Sequence, residues 1–364
     1  MRTIQNVIDS LSIRILPSGG LRRLPKPDYN PVPNMEGIRL GLAVESMRRH
    51  MTDEGWQLFQ GLEEAGGYQL TGYNLPVNET DVRMMLASDR PIKTLVLQDK
   101  REWDTGRGDF RDARARFTNV ELLADESNIF KVTVLKDAHQ RPDYHRQSAD
   151  EIKCHAWIVY YHPSVVEKVA PYVRREHLIR TYHSLDPAIV PHIDYEPQRE
   201  GCLLSGAVSA AYPFRQRLVQ NISSLPSVKQ MRHPGYHRNG CETPAYLKEL
   251  ATYKVAICTS SMYGYALRKI IEATAAGCIV VTDLPSDEVL PEIDGNLFRI
   301  DRDISIAELN GLLNSLCQGY DKERQQMYQN AAKTWYSYRS VGYRLAEDIE
   351  TLRLNYNLTS LSGE

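Results

Sequence analysis

The chain has 364 residues, a formal net charge of -2 at pH 7, 42% hydrophobic residues and 25% charged residues. A domain takes about 100–200 residues, so a chain of this length is expected to form two domains with separate cores. The balanced charge excludes an overall electrostatic attraction to nucleic acid or to anionic membranes, and leaves only a local basic groove for such a role.

The first half alternates apolar strands with amphipathic helices. Residues 1–36 hold five prolines and are expected to form a Pro-rich N-terminal arm, because proline interrupts regular hydrogen-bonded ladders. In residues 37–186 the predicted strands are GIRLGLAV, YQLTGYNL, KTLVLQ, VTVL and CHAWIVYY, and the predicted helices are WQLFQGLEEAG, TDVRMMLAS and VVEKVAPYV. Such alternation predicts a mainly parallel sheet that is covered on both faces.

The second half repeats this alternation of strands and helices, after a proline-containing linker over residues 187–200. In residues 201–320 the predicted strands are CLLSGAV, SVKQMR, KVAICTS, CIVVTD and LFRID, and the predicted helices are YPFRQRLVQNI, AYLKELAT, YALRKIIEATAAG and ISIAELNGLLNSL. Residues 321–364 are expected to be helical and to pack back on both domains. The fold class is therefore α/β with two Rossmann-like domains, and the loops after the second set of strands should line a ligand cleft.

Cysteine spacing and hydropathy bear on the class of protein. Six cysteines are spread along the chain without CxxC pairs, so neither a zinc site nor a disulfide framework is predicted. No stretch approaches the roughly 20 apolar residues of a membrane helix. The N-terminus also lacks a compact apolar run with a cleavage-type ending, and we expect a cytoplasmic protein.

The segment KVAICTSSMYGYALRKIIEATAAGCIVVTDLP is the most informative in the chain. A nucleotide diphosphate needs backbone N–H groups at a helix N-terminus and a cation nearby. Here Ser261, Gly264 and Tyr265 precede a predicted helix that carries Arg268 and Lys269. The segment therefore predicts a phosphate-binding site.

Glu272 follows Lys269 by three residues and Arg268 by four, so the three side chains project near one helix face. A carboxylate one turn below a diphosphate can accept hydrogen bonds from both ribose hydroxyls. The alternative is an i,i+4 surface salt bridge between Arg268 and Glu272. The apolar sequence on both sides favours a covered helix.

The stretch from Tyr265 to Pro285 resembles the donor-site signature of GT-B glycosyltransferases. In that signature a basic residue, a Glu three or four positions later and a small-small-Gly turn precede a strand. Three further segments are similar to the spore-maturation CgeB-like and glycosyltransferase-family-1-like group: HSLD at His183 to Asp186, the run from Ser205 to Arg215, and HPGY at His233 to Tyr236. The resemblance spans roughly Thr181 to Leu316 and implies two domains that face each other across a cleft.

The resemblance implies transfer of a sugar from a nucleotide-diphosphate sugar, of UDP or GDP type, to a hydroxyl acceptor. Ser205 and Gly206 would let the donor approach a strand end, Arg215 or Lys269 would neutralise the diphosphate, and Tyr236 would lie near the base. Glu272 would hold the ribose. No Asp-x-Asp triplet is expected to hold a cation against the diphosphate, so no essential metal or other cofactor is predicted. Gly264 stands where many retaining members carry a further Glu, and the stereochemical outcome is left open.

The acceptor and the catalytic base are expected to come from N-terminal loops. Transfer requires that the acceptor hydroxyl lose its proton as it attacks the anomeric carbon. Asp137 and His139 follow one predicted strand and are the first candidates, Asp99 is the second and His162 the third. For each residue the alternative is a solvated loop position or a helix cap.

Other functions remain open on the same fold. They are a nucleotide-sugar epimerase or hydrolase, a DNA-modifying glucosyltransferase acting on a hydroxymethylated base, and a binding protein without catalysis. The DNA-modifying enzyme would need a basic channel, and a fold alone does not decide among these. The sequence does not determine the sugar, the nucleotide, the acceptor or the oligomeric state. Nucleic acid is among the candidate acceptors.

Overall fold

A computed structural model describes residues 38–42, 53–71, 92–97, 125–135, 138–139, 142–231 and 243–361. All of these lie in one compact unit, Pro31–Glu364. The first sheet has the order β2-β1-β3-β4-β5-β6, and its strand pairs are parallel. The strands are β1 (Ile38–Leu42), β2 (Gln69–Thr71), β3 (Ile92–Leu97), β4 (Phe130–Leu135), β5 (Ala156–Val159) and β6 (Leu178–Arg180).

The helices described beside this sheet are α1 (Asp53–Glu64), α2 (Pro142–Glu151) and α3 (Pro163–Val169). Every residue of β4 and β5 is buried, as expected for central strands of a parallel sheet with both faces covered. Leu62 and Val166 supply apolar contacts from α1 and α3 to the same core. The carboxyl ends of β4, β5 and β6 consequently stand at one edge of this layer.

The second sheet has the order β11-β10-β9-β7-β8 and is also parallel. Its strands are β7 (Glu200–Ser205), β8 (Val228–Met231), β9 (Tyr253–Ile257), β10 (Ile279–Thr282) and β11 (Leu297–Arg299). The helices described with it are α4 (Pro213–Gln220), α5 (Thr243–Leu250), α6 (Arg268–Ala275) and α7 (Ile306–Gln318). The two parallel sheets with their helices confirm the predicted α/β class.

The C-terminal residues form α8 (Lys322–Trp335) and α9 (Tyr338–Leu361). Helix α8 contacts α6, where Gln329 Nε2 donates to the Ala275 carbonyl at 2.7 Å. Helix α9 contacts α1 instead, and Tyr338 Oη donates to Glu64 Oε2 at 2.9 Å. The tail therefore touches helices that belong to both sheets.

The structure differs from the predicted elements at the start of α6. That helix begins at Arg268, whereas the apolar pattern predicted a start at Tyr265. The N-cap Leu267 has an extended backbone, with φ -93° and ψ 151°, so a helix cannot run through it from Tyr265 to Arg268. Strand β6 and helix α2 were not predicted, because β6 has only three residues and α2 is strongly polar. The predicted helix TDVRMMLAS lies outside the described residues.

Among the described residues, no helix combines the length and the apolar character needed to cross a membrane.

Candidate functional site

The site lies where the strand ends of the two sheets meet. His139, just after β4, places Nδ1 3.1 Å from Tyr265 Oη in the loop that follows β9. After β5, the backbone N–H of His162 donates to Glu288 Oε2 at 3.1 Å, in the loop that follows β10. Because both sheets present their carboxyl ends here, this is where an open α/β fold binds ligands.

A loop held by Ser261 leads into α6. Ser261 Oγ accepts the backbone N–H groups of Tyr263 at 3.2 Å and Tyr265 at 3.4 Å, and its carbonyl accepts that of Gly264 at 2.9 Å. The amides of this loop therefore bond inward rather than toward a ligand. The Leu267 N-cap of α6 makes no side-chain capping hydrogen bond. The predicted phosphate contacts of this loop stay a prediction.

Arg268, Lys269 and Glu272 share one covered face of α6, as predicted. Arg268 Nε lies 3.3 Å from Glu272 Oε1, with only 11% and 8% of the two side chains exposed. The i,i+4 pair of the alternative hypothesis is thus present, but it is not at the surface. Within the described part of the chain, Arg268 Nη2 is buried and has no hydrogen-bond partner. Burial lowers the pKa of Lys269, and Glu272 opposes that shift.

Tyr246 on α5 links two predicted residues and was itself missed. Lys269 Nζ donates to Tyr246 Oη at 3.4 Å and lies 4.4 Å from the centre of its ring. The same hydroxyl is 2.6 Å from Ser205 Oγ, at the end of β7. Burial raises the pKa of Tyr246 well above its ordinary value, so the phenol stays neutral. An aromatic on an amphipathic helix also suits a core, and no sequence signal separates the two roles.

Arg215 on α4 holds two loops together. Its Nε donates to Thr259 Oγ1 at 3.0 Å and its Nη1 to the Ala207 carbonyl at 2.8 Å, while the guanidinium lies 4.3 Å from the Tyr212 ring centre. Gly206 has a φ of +117°, and a Cβ atom there would lie 2.4 Å from Arg215 Nη1. These contacts join the loop after β7 to the loop after β9, and the predicted role of Arg215 toward a diphosphate stays a prediction.

A second polar cluster at the strand ends consists of Asp283, Arg302 and Ser260. Asp283 Oδ1 accepts the Ser260 backbone N–H at 2.6 Å, and its Oδ2 accepts Arg302 Nε at 2.7 Å. Arg302 Nη2 also donates to Ser260 Oγ at 2.8 Å. Only 1% of the Asp283 side chain is exposed, so the cation compensates a buried charge. Arg302 was not predicted, because its partner Asp283 follows a different strand and lies 19 residues earlier in the chain.

His139 is the one first-choice base that the structure describes. Its ring centre lies 4.3 Å from that of Tyr263 and 5.5 Å from that of Tyr265. The Tyr265 ring in turn stacks on Tyr161 at 3.7 Å, so the imidazole lies beside an aromatic cluster formed by the loops after β5 and β9. Asp99, Asp137 and Tyr236 lie outside the described residues, and their predicted roles stay predictions.

His162, the third candidate base, caps α3. Its Nδ1 accepts the Ser164 backbone N–H at 3.3 Å, and burial lowers its pKa. This is the helix-cap alternative considered for the position. Its neighbour Glu288 is 1% exposed and pairs with Arg180, and burial raises the pKa of Glu288. Glu288 was missed, since one Glu in a polar loop carries no sequence signal.

His183 in the HSLD segment contacts the loop before α6. Its Nε2 lies 3.1 Å from the Ala266 carbonyl, which only accepts, so Nε2 carries the hydrogen. The ring stacks on Tyr160 at a centre distance of 4.9 Å. Burial lowers the pKa of His183 to about 3, and the imidazole is neutral at pH 7. The segment thus positions the α6 loop through an uncharged donor.

No group of three or more His, Cys, Asp or Glu that could hold a metal ion occurs in the ranges that the structure describes. One Asp-x-Asp triplet, Asp301 to Asp303, stands in the loop after β11, where Asp301 Oδ1 accepts the Asp303 backbone N–H at 2.8 Å. The predicted metal independence stays a prediction.

Comparisons with known proteins identify the fold. Neither a protein-family model nor a curated protein sequence matches the chain. Among solved structures, sucrose-phosphate synthase from Thermosynechococcus elongatus is similar with a TM-score of 0.50 and 10% identity, over 87% of this chain and 99% of that one. A glycosyltransferase from Rickettsia africae is similar with a TM-score of 0.50 and 9% identity, over 88% and 99% of the two chains. The chain therefore has the GT-B glycosyltransferase fold.

Proposed function

We propose that this chain transfers a sugar from a nucleotide-diphosphate sugar, of UDP or GDP type, to a hydroxyl acceptor, without an essential metal. The observation that carries the proposal is the buried set of Arg268, Lys269 and Glu272 on the first turns of α6. Arg268 Nη2 is buried there without a hydrogen-bond partner in the described chain. A buried guanidinium N–H without an acceptor is costly even when another nitrogen of the group is paired, and an oxygen of an anionic ligand would satisfy it.

The donor would bind at the amino end of α6. Its diphosphate would lie at the positive end of the helix dipole and would contact the Arg268 guanidinium and the Lys269 ammonium. Together these groups would compensate the negative charge of the two phosphates. Glu272 would accept the ribose hydroxyls one turn further along. Ser205 Oγ, 2.6 Å from Tyr246 Oη, supports this placement because it puts another polar group of the β7 strand end beside Lys269.

His139 is the proposed base. The bond between the acceptor oxygen and the anomeric carbon forms as the bond from that carbon to the diphosphate breaks, and the diphosphate leaves with the electron pair. The hydroxyl proton passes to His139 Nε2. For this, Nδ1 must carry the hydrogen and donate to Tyr265 Oη, 3.1 Å away, which leaves the lone pair on Nε2.

The proposal is tested by thermal shift with UDP, GDP, ADP, CMP and their sugar conjugates. A ligand that binds only the folded state at 100 times its Kd adds about 2.7 kcal/mol to the free energy of unfolding. We expect one nucleoside diphosphate to stabilise the protein, and we expect Lys269→Met or Glu272→Gln to abolish the thermal shift. Lys248→Met on the exposed face of α5 is the matched control and should keep the full shift.

Turnover distinguishes catalysis from binding. His139→Gln should keep the nucleotide-induced shift and lose sugar transfer by about 10²–10⁴-fold, the usual contribution of a general base. A variant that transfers sugar at the wild-type rate would remove His139 from the mechanism. A thermal shift that survives both Lys269→Met and Glu272→Gln would remove the donor site from α6.

A further inference from the structure

Two cysteines that are far apart in the sequence meet beside the second sheet. Cys202 lies on β7, and Cys317 lies near the end of α7, 115 residues further along the chain. Their Sγ atoms are 3.5 Å apart, and both residues are free thiols. A disulfide bond has an S–S distance of about 2.05 Å, so the two sulfurs need to approach each other by only about 1.5 Å.

The other cysteines that the structure describes have different partners. Cys154, Cys258 and Cys278 each donate from Sγ to a backbone carbonyl, at distances of 2.9, 3.4 and 3.2 Å. Within the described ranges, the contact between Cys202 and Cys317 is therefore the one hydrogen bond that joins two thiols. Buried cysteines elsewhere in the same layer provide matched controls for this pair.

The two thiols of the pair differ in their access to solvent. Cys202 is fully buried in the core of the second sheet, whereas Cys317 is half-buried. The hydrogen bond from Cys202 lowers the pKa of Cys317 and outweighs the effect of its partial burial, and the Lys254 ammonium acts in the same direction. The hydrogen bond and burial raise the pKa of Cys202. Cys317 is therefore the thiol that ionises first and that an oxidant reaches first.

We propose that Cys202 and Cys317 are a redox-active pair that forms a reversible disulfide when a peroxide reaches Cys317. The Cys317 thiolate attacks one oxygen of hydrogen peroxide, the O–O bond breaks, and Cys317 becomes a sulfenic acid with release of hydroxide. The Cys202 sulfur then attacks the sulfenic sulfur, the S–O bond breaks, and the Cys202 proton leaves with that oxygen as water. The hydroxide takes up the proton that Cys317 had lost. In total, two thiols are oxidised to one disulfide and one peroxide is reduced to two waters.

The disulfide would tie α7 to β7, an internal strand of the second sheet. A cross-link between residues 115 positions apart restricts the unfolded chain more than the folded one. Oxidation should therefore raise the melting temperature, by about 5 °C for a chain of this size. The pair is independent of the proposed sugar transfer, since neither cysteine belongs to the proposed donor site.

Treatment of the folded protein with hydrogen peroxide tests the proposal. Free thiols are alkylated as the protein is unfolded, which prevents thiol–disulfide exchange, and the digested protein is analysed by mass spectrometry without reductant. We expect one cross-linked peptide pair that contains Cys202 and Cys317, and two fewer alkylated thiols per chain. Dithiothreitol should restore both thiols and return the melting temperature to its starting value.

Three variants assign the chemistry to this pair. Cys317→Ser should prevent both the cross-link and the rise in melting temperature. Cys202→Ala should stop the reaction at the sulfenic acid of Cys317, which dimedone traps. Cys278→Ala is the matched control, because Cys278 is another fully buried cysteine of the same layer, and it should keep the cross-link and the rise.

The proposal is overturned if peroxide oxidises Cys317 in the wild type without forming the cross-link, or if Cys317 does not react. It is equally overturned if Cys317→Ser still gains melting temperature with peroxide, or if Cys278→Ala abolishes the cross-link. Should Cys202→Ala fail to fold, Cys317→Ser at the half-buried position still decides the question. Failure of the proposed function would appear as loss of nucleotide binding and would leave these thiol counts unchanged.

Discussion

The burial of the His183 imidazole between the two sheets should make the stability of the folded protein sensitive to acid. The pKa of His183 is lowered from 6.5 to about 3, first by burial and then by the Arg268 charge. The unfolded chain therefore binds a proton near pH 6.5 that the folded chain does not bind until about pH 3. The free energy of unfolding is therefore highest above pH 6.5, the pKa of His183 in the unfolded chain. It decreases as the pH falls from there toward the pKa of His183 in the folded protein.

The size of the effect follows from the two pKa values. Each pKa unit corresponds to about 1.4 kcal/mol, so the loss between pH 7 and pH 5 from this residue is about 2 kcal/mol. His155, whose pKa is lowered to about 4, adds a loss of the same sign. A comparison with His183→Gln isolates the contribution of His183, because the shift at His155 is common to both proteins.

Urea unfolding at pH 7 and pH 5 measures the difference, with the free energy of unfolding obtained by linear extrapolation. Gln keeps an N–H donor for the Ala266 carbonyl, which His183 Nε2 contacts at 3.1 Å, and it cannot be protonated. The stability advantage of the wild type over His183→Gln should shrink by about 2 kcal/mol at the lower pH. Parallel pH profiles of the two proteins would refute the assigned burial, as would an NMR titration of His183 near pH 6.5.

Two further substitutions probe the loops of the site. Gly206→Ala should lower the free energy of unfolding by about 1–3 kcal/mol, because the residue has a positive φ and its Cβ would meet Arg215 Nη1 at 2.4 Å. The control Gly311→Ala, in a helix with nothing within 4 Å of the new Cβ, should stabilise by about 0.5–1 kcal/mol, and equal effects in urea unfolding would contradict the reasoning. Arg302→Met should cost about 2–4 kcal/mol by leaving the Asp283 carboxylate buried without its cation, and an unchanged unfolding midpoint would show that this pair is not needed.

Many of the strands and helices could be predicted from the local pattern of apolar and polar residues. Continuous apolar runs such as VTVL and CIVVT are buried on both faces in β4 and β10, and the amphipathic helices between strands cover the sheets. The spacing of Arg268, Lys269 and Glu272 likewise placed three side chains on one face of α6. These features depend on neighbours within one or two turns of chain, so the sequence could predict them.

The chemistry of the site depends on contacts that local pattern does not contain. His139 meets Tyr265 126 positions further along, and Arg302 reaches Asp283 across the strand ends. Tyr246 and Glu288 were missed because a lone polar residue on a helix or in a loop is most often solvated. The sequence alone established two parallel sheets and the helix that carries the charges. Only the packing of the two sheets decided which charges are buried and which are paired, because burial and pairing depend on residues distant in the chain.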